Sequence, residues 1–452
     1  MPNEEERGNR ARESTVSTRI DRPTTINAAV SSSDRVAELD SLRGLACLLI
    51  VLYHFKPDRI PGGWAGVDFF LILSGYLITN IILKYHDRPG FLRAFYIRRW
   101  LRICPLYYLT LVIVAVASPI LPRSTNFGGL FQAATYTQNI EAYWSGRPIV
   151  FSQYLTHTWS LAIEEQFYLI WPPILYLTGR RGVVPAAIAV VCLSVWARES
   201  GFHWWLLIAR CDGFALGAIL AATLGDRAGD RRPIVDPRRN ADQERSSRPK
   251  RYFSQERFRS GRIDHPMNYI LVPTFIISSL YLMYLFSIGG ISRLGAPRRP
   301  GSTILAIDLF GCSVVGLTLS YAGSRLASPL RNKTLGYIGK ISYGVYMYHL
   351  IIIMLGDDIA ERVGLRGKPF WREALEAAVF FAMAAVSYRY IERPILALKD
   401  RMPYGRTLPK KPVDRGGFRD REKTDDRRGV SVRNALNSVS MISFNEDEEV
   451  DR

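Results

Sequence analysis

Apolar residues in this 452-residue chain gather into about ten runs of membrane length: 39–55, 64–85, 101–121, 158–177, 183–196, 204–224, 267–288, 303–322, 335–355 and 374–398. A helix needs about 20 residues to cross a bilayer. Backbone amides inside hydrocarbon must bond within their own segment, so runs of this kind specify helices rather than open sheets. The expected fold is therefore all-α, an integral membrane bundle of about ten transmembrane helices. The fifth run is the shortest and its ends are the least defined.

The polar remainder divides the chain into a charged N-terminal tail (1–37), a membrane domain (38–398) and a charged C-terminal tail (399–452), both tails expected to be disordered. A loop at 225–266 holds twelve Arg and Lys residues and reads as a solvated linker beside anionic headgroups. No basic cluster precedes an apolar core in the first 35 residues, so no cleavable signal peptide is expected. The net charge of +18 suggests nucleic acid at first sight, but its placement argues against that reading. Arg88, Arg93, Arg98 and Arg99, then Arg180 and Arg181, the 225–266 loop, and Arg325, Arg331 and Lys333 all fall in tails or loops on one side of a ten-span chain. By the positive-inside rule that side, with both termini, is cytoplasmic. The five cysteines lie in or beside apolar runs without CxxC spacing, so no disulfide framework or metal site is expected and the thiols read as buried and inert.

Ionisable residues inside membrane runs are costly and mark function or pairing. In RGLACLLIVLYHF, Arg43 and His54 are eleven residues apart. Eleven steps of about 100° return to the same helical face, roughly 16 Å along the axis. Either the pair lines a polar interior, or Arg43 snorkels while His54 caps the helix at the interface. Asp68, at the outer start of the second run, either orients His54 or caps its own helix. Ser74 lies deeper in the same run. Arg99 and Arg102, three apart at the entry of the third run, suit bidentate binding of a phosphorylated ligand as well as ordinary anchoring. His157, Glu164 and Tyr168 fall at seven- and four-residue spacing, on one side of the fourth helix. Arg210 and Asp212 lie in the sixth run and read as charges paired with other helices. His349, in the ninth, reads as a satisfied interior histidine at a depth similar to His54. The connection 122–157 is aromatic and polar, long enough for a lid or binding loop.

Taken in order, Arg43/His54, GVDFFLILSGYLI, Arg99/Arg102 with Pro105, WSLAIEEQFYLIWP, RCDGFALGAILA, ISYGVYMYHL and SYRYIERPI resemble the membrane acyltransferase-3 family, the multi-spanning O-acyltransferases of polysaccharides and other hydroxylated acceptors. The resemblance runs from about Glu38 to Leu398. It implies acyl-CoA as co-substrate, acetyl-CoA by default, a hydroxylated acceptor such as a carbohydrate, no metal, and functional residues at Arg43, His54, Arg99, Arg102 and Glu164. His54 would deprotonate the acceptor hydroxyl or first take the acyl group itself. Arg99 and Arg102 would hold the CoA phosphates, Arg43 would bind or polarise the donor, and Glu164 would fix the His54 tautomer or organise the acceptor side. The fused hydrolase-like domain of some members is not seen, so a second transfer step would need another protein.

Two other classes fit some of the same residues. Intramembrane Arg, His, Glu and Asp suit a proton-coupled transporter or exporter, although no repeat symmetry of the kind many transporters carry is visible. A scaffold using the basic loop and tails is the third reading, tested by deleting 225–266.

Overall fold

A computed structural model describes residues 36–123, 125–146, 151–225, 265–291, 300–365, 367, 369–402 and 404. The N-terminal tail up to residue 35, nearly all of the basic loop and the C-terminal tail beyond residue 404 lie outside the described residues. The described chain is helical: α1 (Ala37–Phe55), α2 (Gly66–Tyr85), α3 (Phe91–Ala117), α4 (Leu130–Ala134), α5 (Gln138–Ser145), α6 (Trp159–Glu199), α7 (Asp212–Leu224), α8 (Asn268–Ser287), α9 (Pro300–Ser320), α10 (Lys333–Arg362), α11 (Phe370–Ser387) and α12 (Arg393–Leu398). Its only pairing of extended backbone among the described residues is a bridge between Thr125 and Ser152.

Seven helical segments are long and apolar enough to cross a membrane. Three of the expected spans fall outside that set, each for a physical reason. α1 carries Glu38, Asp40 and Arg43 within 19 residues. α7 has only 13 residues, about 20 Å of helix. The fourth and fifth spans are joined in α6, a single 41-residue element with Gly179 at φ +63°. A straight helix of that length would extend about 60 Å. Yet the rings of Trp159, at its start, and Trp204, just past its end, are 4.8 Å apart. The chain therefore folds back at Gly179, beside Arg180 and Arg181, and the two halves of α6 run as a hairpin. Glycine is suited to that turn because a Cβ makes a positive φ costly.

Close helix pairs position the site. A Cβ on Gly44 would stand 2.3 Å from the Leu335 carbonyl oxygen, and one on Gly339 would stand 1.8 Å from that of Asp40. α1 and α10 thus touch backbone to backbone, as small residues permit inside membranes. At their other ends the rings of His54 and His349 are 4.9 Å apart, so the two helices run in the same direction. The polar stripe of α1 faces inward: Cys47 and Val51 are buried, while Leu45, Leu49 and Leu52 on the opposite side are exposed. Similarly, Gly75 meets the backbone of Phe214 and Gly217 that of Ile72, and with Gly213 beside Leu71 and Gly225 beside Asn80 the close contact runs along α2 and α7 in the same direction. Replacing Gly339 with valine should lower the thermal midpoint in detergent and weaken every function of the bundle, since overpacking costs about 1–3 kcal/mol. An unchanged midpoint would contradict this packing.

Described residues of the connection 122–157 pack onto the bundle. Arg123 Nε donates to both Asp358 carboxylate oxygens of α10 at 3.0 and 3.1 Å, and Tyr154 donates to Asp358 at 2.6 Å. Tyr107 and Tyr108 of α3 donate to the carbonyls of Ala133 and Ala134, each at 2.8 Å. Four of the five free cysteines are buried as expected, but Cys192 is exposed, on the second half of α6.

Candidate active site

Two groups of polar side chains occupy opposite ends of the α1 stripe. At the first end, Arg43 of α1 lies within electrostatic reach of Arg99 and of Glu164 and Tyr168, and Arg102 lies within reach of all four. The three-residue spacing of Arg99 and Arg102 does put both on the inward side of α3. Arg99 also sits over the Tyr168 ring at 5.5 Å. Ser74 of α2 donates to Glu164 Oε1 at 2.5 Å, and its oxygen lies at the same distance from the Tyr168 hydroxyl oxygen. Tyr168 donates to the same Glu164 oxygen, one turn away on α6. One carboxylate thus lies among three guanidiniums, with Arg43 Nε buried and lacking a hydrogen-bond partner.

At the second end, His54 lines a cavity of about 300 Å³ together with His157, Trp64, Tyr346 and Arg210. His54 Nδ1 lies 2.8 Å from the Ile50 carbonyl oxygen. A carbonyl only accepts, so Nδ1 carries the proton and Nε2 is the basic nitrogen. His349 is held the same way by the Val345 and Tyr346 carbonyls at 3.1 and 2.8 Å. Its Nε2 and both nitrogens of His157 are buried without partners. The rings of His157 and His349 are 5.2 Å apart. Tyr346 donates to the His157 carbonyl and bonds Ser160 at 2.7 Å. Among the described residues, no group of three His, Cys, Asp or Glu side chains is arranged to hold a metal ion.

Several expectations need correction. Glu164 does not touch His54: it belongs to the arginine group, and the Ile50 carbonyl sets the His54 tautomer instead. Asp68 does not orient His54 either. It is fully buried and takes Arg210 Nε and Nη2 at 2.8 Å each. His157 does not share a helical face with Glu164 and Tyr168, because it sits in a 3₁₀ turn before α6 whose Leu155 is non-helical. Arg210 is not on a membrane helix. Residues 204–211 form an irregular stretch ahead of α7, and Trp204, Trp205 and Arg210 in it wall the cavity. His349 is satisfied on one nitrogen only. The cavity also stops short of the other group: Arg43, Arg99, Arg102 and Glu164 do not line it.

Sequence reading missed much of the frame. Arg198, just past the fifth apolar run, is buried and bonds both oxygens of Asp212 at 3.1 and 2.6 Å. Asp308 of α9 is fully buried within reach of both ion pairs, and an acidic residue inside an apolar run could have flagged it. Three tryptophan rings, Trp64, Trp159 and Trp204, surround the Arg210 guanidinium at 5.5, 5.8 and 5.4 Å. Removing one member of a buried ion pair leaves a bare charge, which costs about 3–5 kcal/mol. Asp68→Ala should therefore destabilise the protein severely, and adding Arg210→Met should restore much of the thermal midpoint. A single variant as stable as the parent would remove this pair from the frame.

A family model described as "Acyltransferase domain" matches residues 36–388. The chain belongs to the acyltransferase-3 family. Among relatives of this acyltransferase-family chain, the peptidoglycan O-acetyltransferase OatA of Listeria monocytogenes is 29% identical over 378 residues, covering 80% of this chain and 56% of its own length. A Bacillus subtilis protein named "Putative peptidoglycan O-acetyltransferase YrhL" is 26% identical over 380 residues, covering 79% of this chain and 54% of the relative. The acyltransferase-family chain thus spans about half the length of these curated relatives. No solved structure matches it.

Proposed function

We propose that this protein is a membrane O-acyltransferase that moves an acetyl group from acetyl-CoA to a hydroxyl of a carbohydrate acceptor. The observation that carries the reading is His54: its Nδ1 is committed to a backbone carbonyl, its Nε2 is free to act as a base, and its ring walls a cavity. The names of the relatives favour acetyl as the group and a glycan as the acceptor. In this scheme the forked donors of Arg99 and Arg102, with Arg43, hold the CoA phosphates. The cavity does not reach these arginines, so the packing at Cys47 and Val51 along α1 opens for the pantetheine arm to bring the thioester to His54. Nε2 takes the hydroxyl proton as the oxygen attacks the thioester carbonyl. The C–S bond breaks, and the imidazolium returns the proton to the CoA thiolate, giving an ester and free CoA. Ser74 and Tyr168 hold Glu164 in place among the arginines, and Asp68, Arg210 and Asp212 brace the frame.

The seven membrane-length helices, α1, the second half of α6 and α7 together make ten crossings of one acyltransferase domain over 38–398. Both termini and the basic 225–266 loop face the cytoplasm, the source of acyl-CoA, and the acceptor enters from the other side. Family membership weighs against the transporter reading. Incubating the purified protein with labelled acetyl-CoA and a glycan should yield an ester-linked acetyl group by mass spectrometry. Proton-driven solute flux in liposomes without acyl-CoA, and no ester, would reverse the assignment.

A further inference from the structure

The cavity wall beyond His54 has an unusual polar inventory. Trp64 Nε1, Trp205 Nε1 and Arg210 Nη1 are donors, Gln138 Oε1 is an acceptor, and all four are buried without a hydrogen-bond partner, as are both nitrogens of His157. All of these residues line the same space. Buried polar atoms in native proteins are almost always paired, so a concentration of orphans in one wall calls for an explanation. Their neighbours are already committed. Gln138 Nε2 donates to the Thr158 carbonyl at 3.2 Å, which aims the rest of that amide. Asn139, which also lines the cavity, bridges Gln166 and the Trp205 carbonyl, the latter at 3.1 Å, and so braces Trp205. Both amides come from α5, brought over α6 by Tyr136, whose left-handed φ of 55° is the only positive value among the described non-glycine residues.

We infer that Gln138, Trp205 and Arg210 Nη1 read the acceptor, fixing which hydroxyl of a single sugar ring meets His54. The inference rests on the acyl-transfer reading for what happens at His54. Donors and an acceptor in one wall match hydroxyl groups, which both give and take hydrogen bonds. An anion would find donors but also the Gln138 oxygen, and the charge of Arg210 is already balanced by Asp68. A cation would meet Arg210. A sugar ring also presents weakly positive C–H faces, which suit the electron-rich faces of tryptophan. A volume of about 300 Å³ sits at the lower end of small-molecule pockets, fitting one ring of a chain that continues outside.

The test compares the full-length protein in nanodiscs with Trp205→Phe, which keeps an aromatic ring and loses the N–H, and Gln138→Leu, which loses the acceptor. Binding of mannose, galactose and N-acetylglucosamine oligosaccharides is measured by calorimetry, and labelled acetyl transfer by steady-state kinetics. The expected result is a rise of about tenfold in Kd and KM for the acceptor in each variant, with the KM for acetyl-CoA unchanged. A deoxy acceptor lacking the hydroxyl that Trp205 reads should be penalised in the parent and not in Trp205→Phe. Oligosaccharide binding that neither variant weakens, or no binding to the parent, overturns the inference. Acetyl transfer to a non-sugar alcohol with both variants unaffected would sink the acceptor seat and leave acyl transfer standing. Sugar binding that depends on these residues without transfer of acetyl to any hydroxyl would support the seat and sink the acyl-transfer reading.

Discussion

His54→Ala should abolish acetyl transfer, lowering kcat by about 10² to 10⁴, the usual contribution of a positioned general base. Affinity for acetyl-CoA should stay within about twofold, because the donor is anchored mainly at the far end of α1. The geometry makes the effect specific. The Ile50 carbonyl holds Nδ1 at 2.8 Å, so only Nε2 can accept a proton. The neighbouring His349 cannot substitute: its Nε2 also lacks a partner, but the residue is fully buried and does not line the cavity. His54→Gln keeps much of the volume but lacks a basic nitrogen, and should be as inactive as the alanine variant. Size-exclusion profiles and thermal midpoints of both variants check that the bundle is intact. Folded His54→Gln protein with parental kcat would remove His54 from the chemistry.

The double substitution Arg99→Ala/Arg102→Ala should raise the KM for acetyl-CoA by at least about a hundredfold. A hydrogen bond to a charged group is worth about 1.5–3 kcal/mol, or roughly tenfold to a hundredfold per arginine. A short thioester such as S-acetylpantetheine, which lacks the nucleotide and its phosphates, should lose little between the parent and the variant. The parent's KM for acetyl-CoA should also rise with salt, and that dependence should flatten in the variant. Ser74→Ala and Tyr168→Phe should give milder increases, since they free Glu164 to move among the guanidiniums. If the double variant lost the short donor and acetyl-CoA equally, the arginines would be supporting the bundle rather than reading phosphate.

How far the sequence could be read depended on whether a signal was local. Apolar length located the seven helices long enough to cross a membrane, and the eleven-residue spacing placed Arg43 and His54 on one stripe, because helical periodicity is set by the backbone alone. The four-residue spacing of Glu164 and Tyr168 likewise became a hydrogen bond within α6. Partnerships across the bundle were not legible. Nothing near Asp68 in the chain indicates Arg210, 142 residues away. His157 looked helical by spacing until a 3₁₀ turn took it off the face of α6. Arg198 follows the fifth apolar run, and it is the turn of chain between α6 and α7 that returns it to Asp212. The tryptophans around Arg210 come from three separate segments, and aromatic residues are so common in membrane helices that their convergence leaves no mark in the sequence.

The measurement closest to the central claim is a cryo-electron-microscopy map of the full-length protein with a non-hydrolysable thioether analogue of acetyl-CoA. The account predicts nucleotide phosphates against Arg99 and Arg102, the pantetheine arm running along α1, and the acetyl carbonyl within reach of His54 Nε2. Ligand density that leaves His54 facing an empty cavity, or that enters the bundle without touching either arginine, would contradict it.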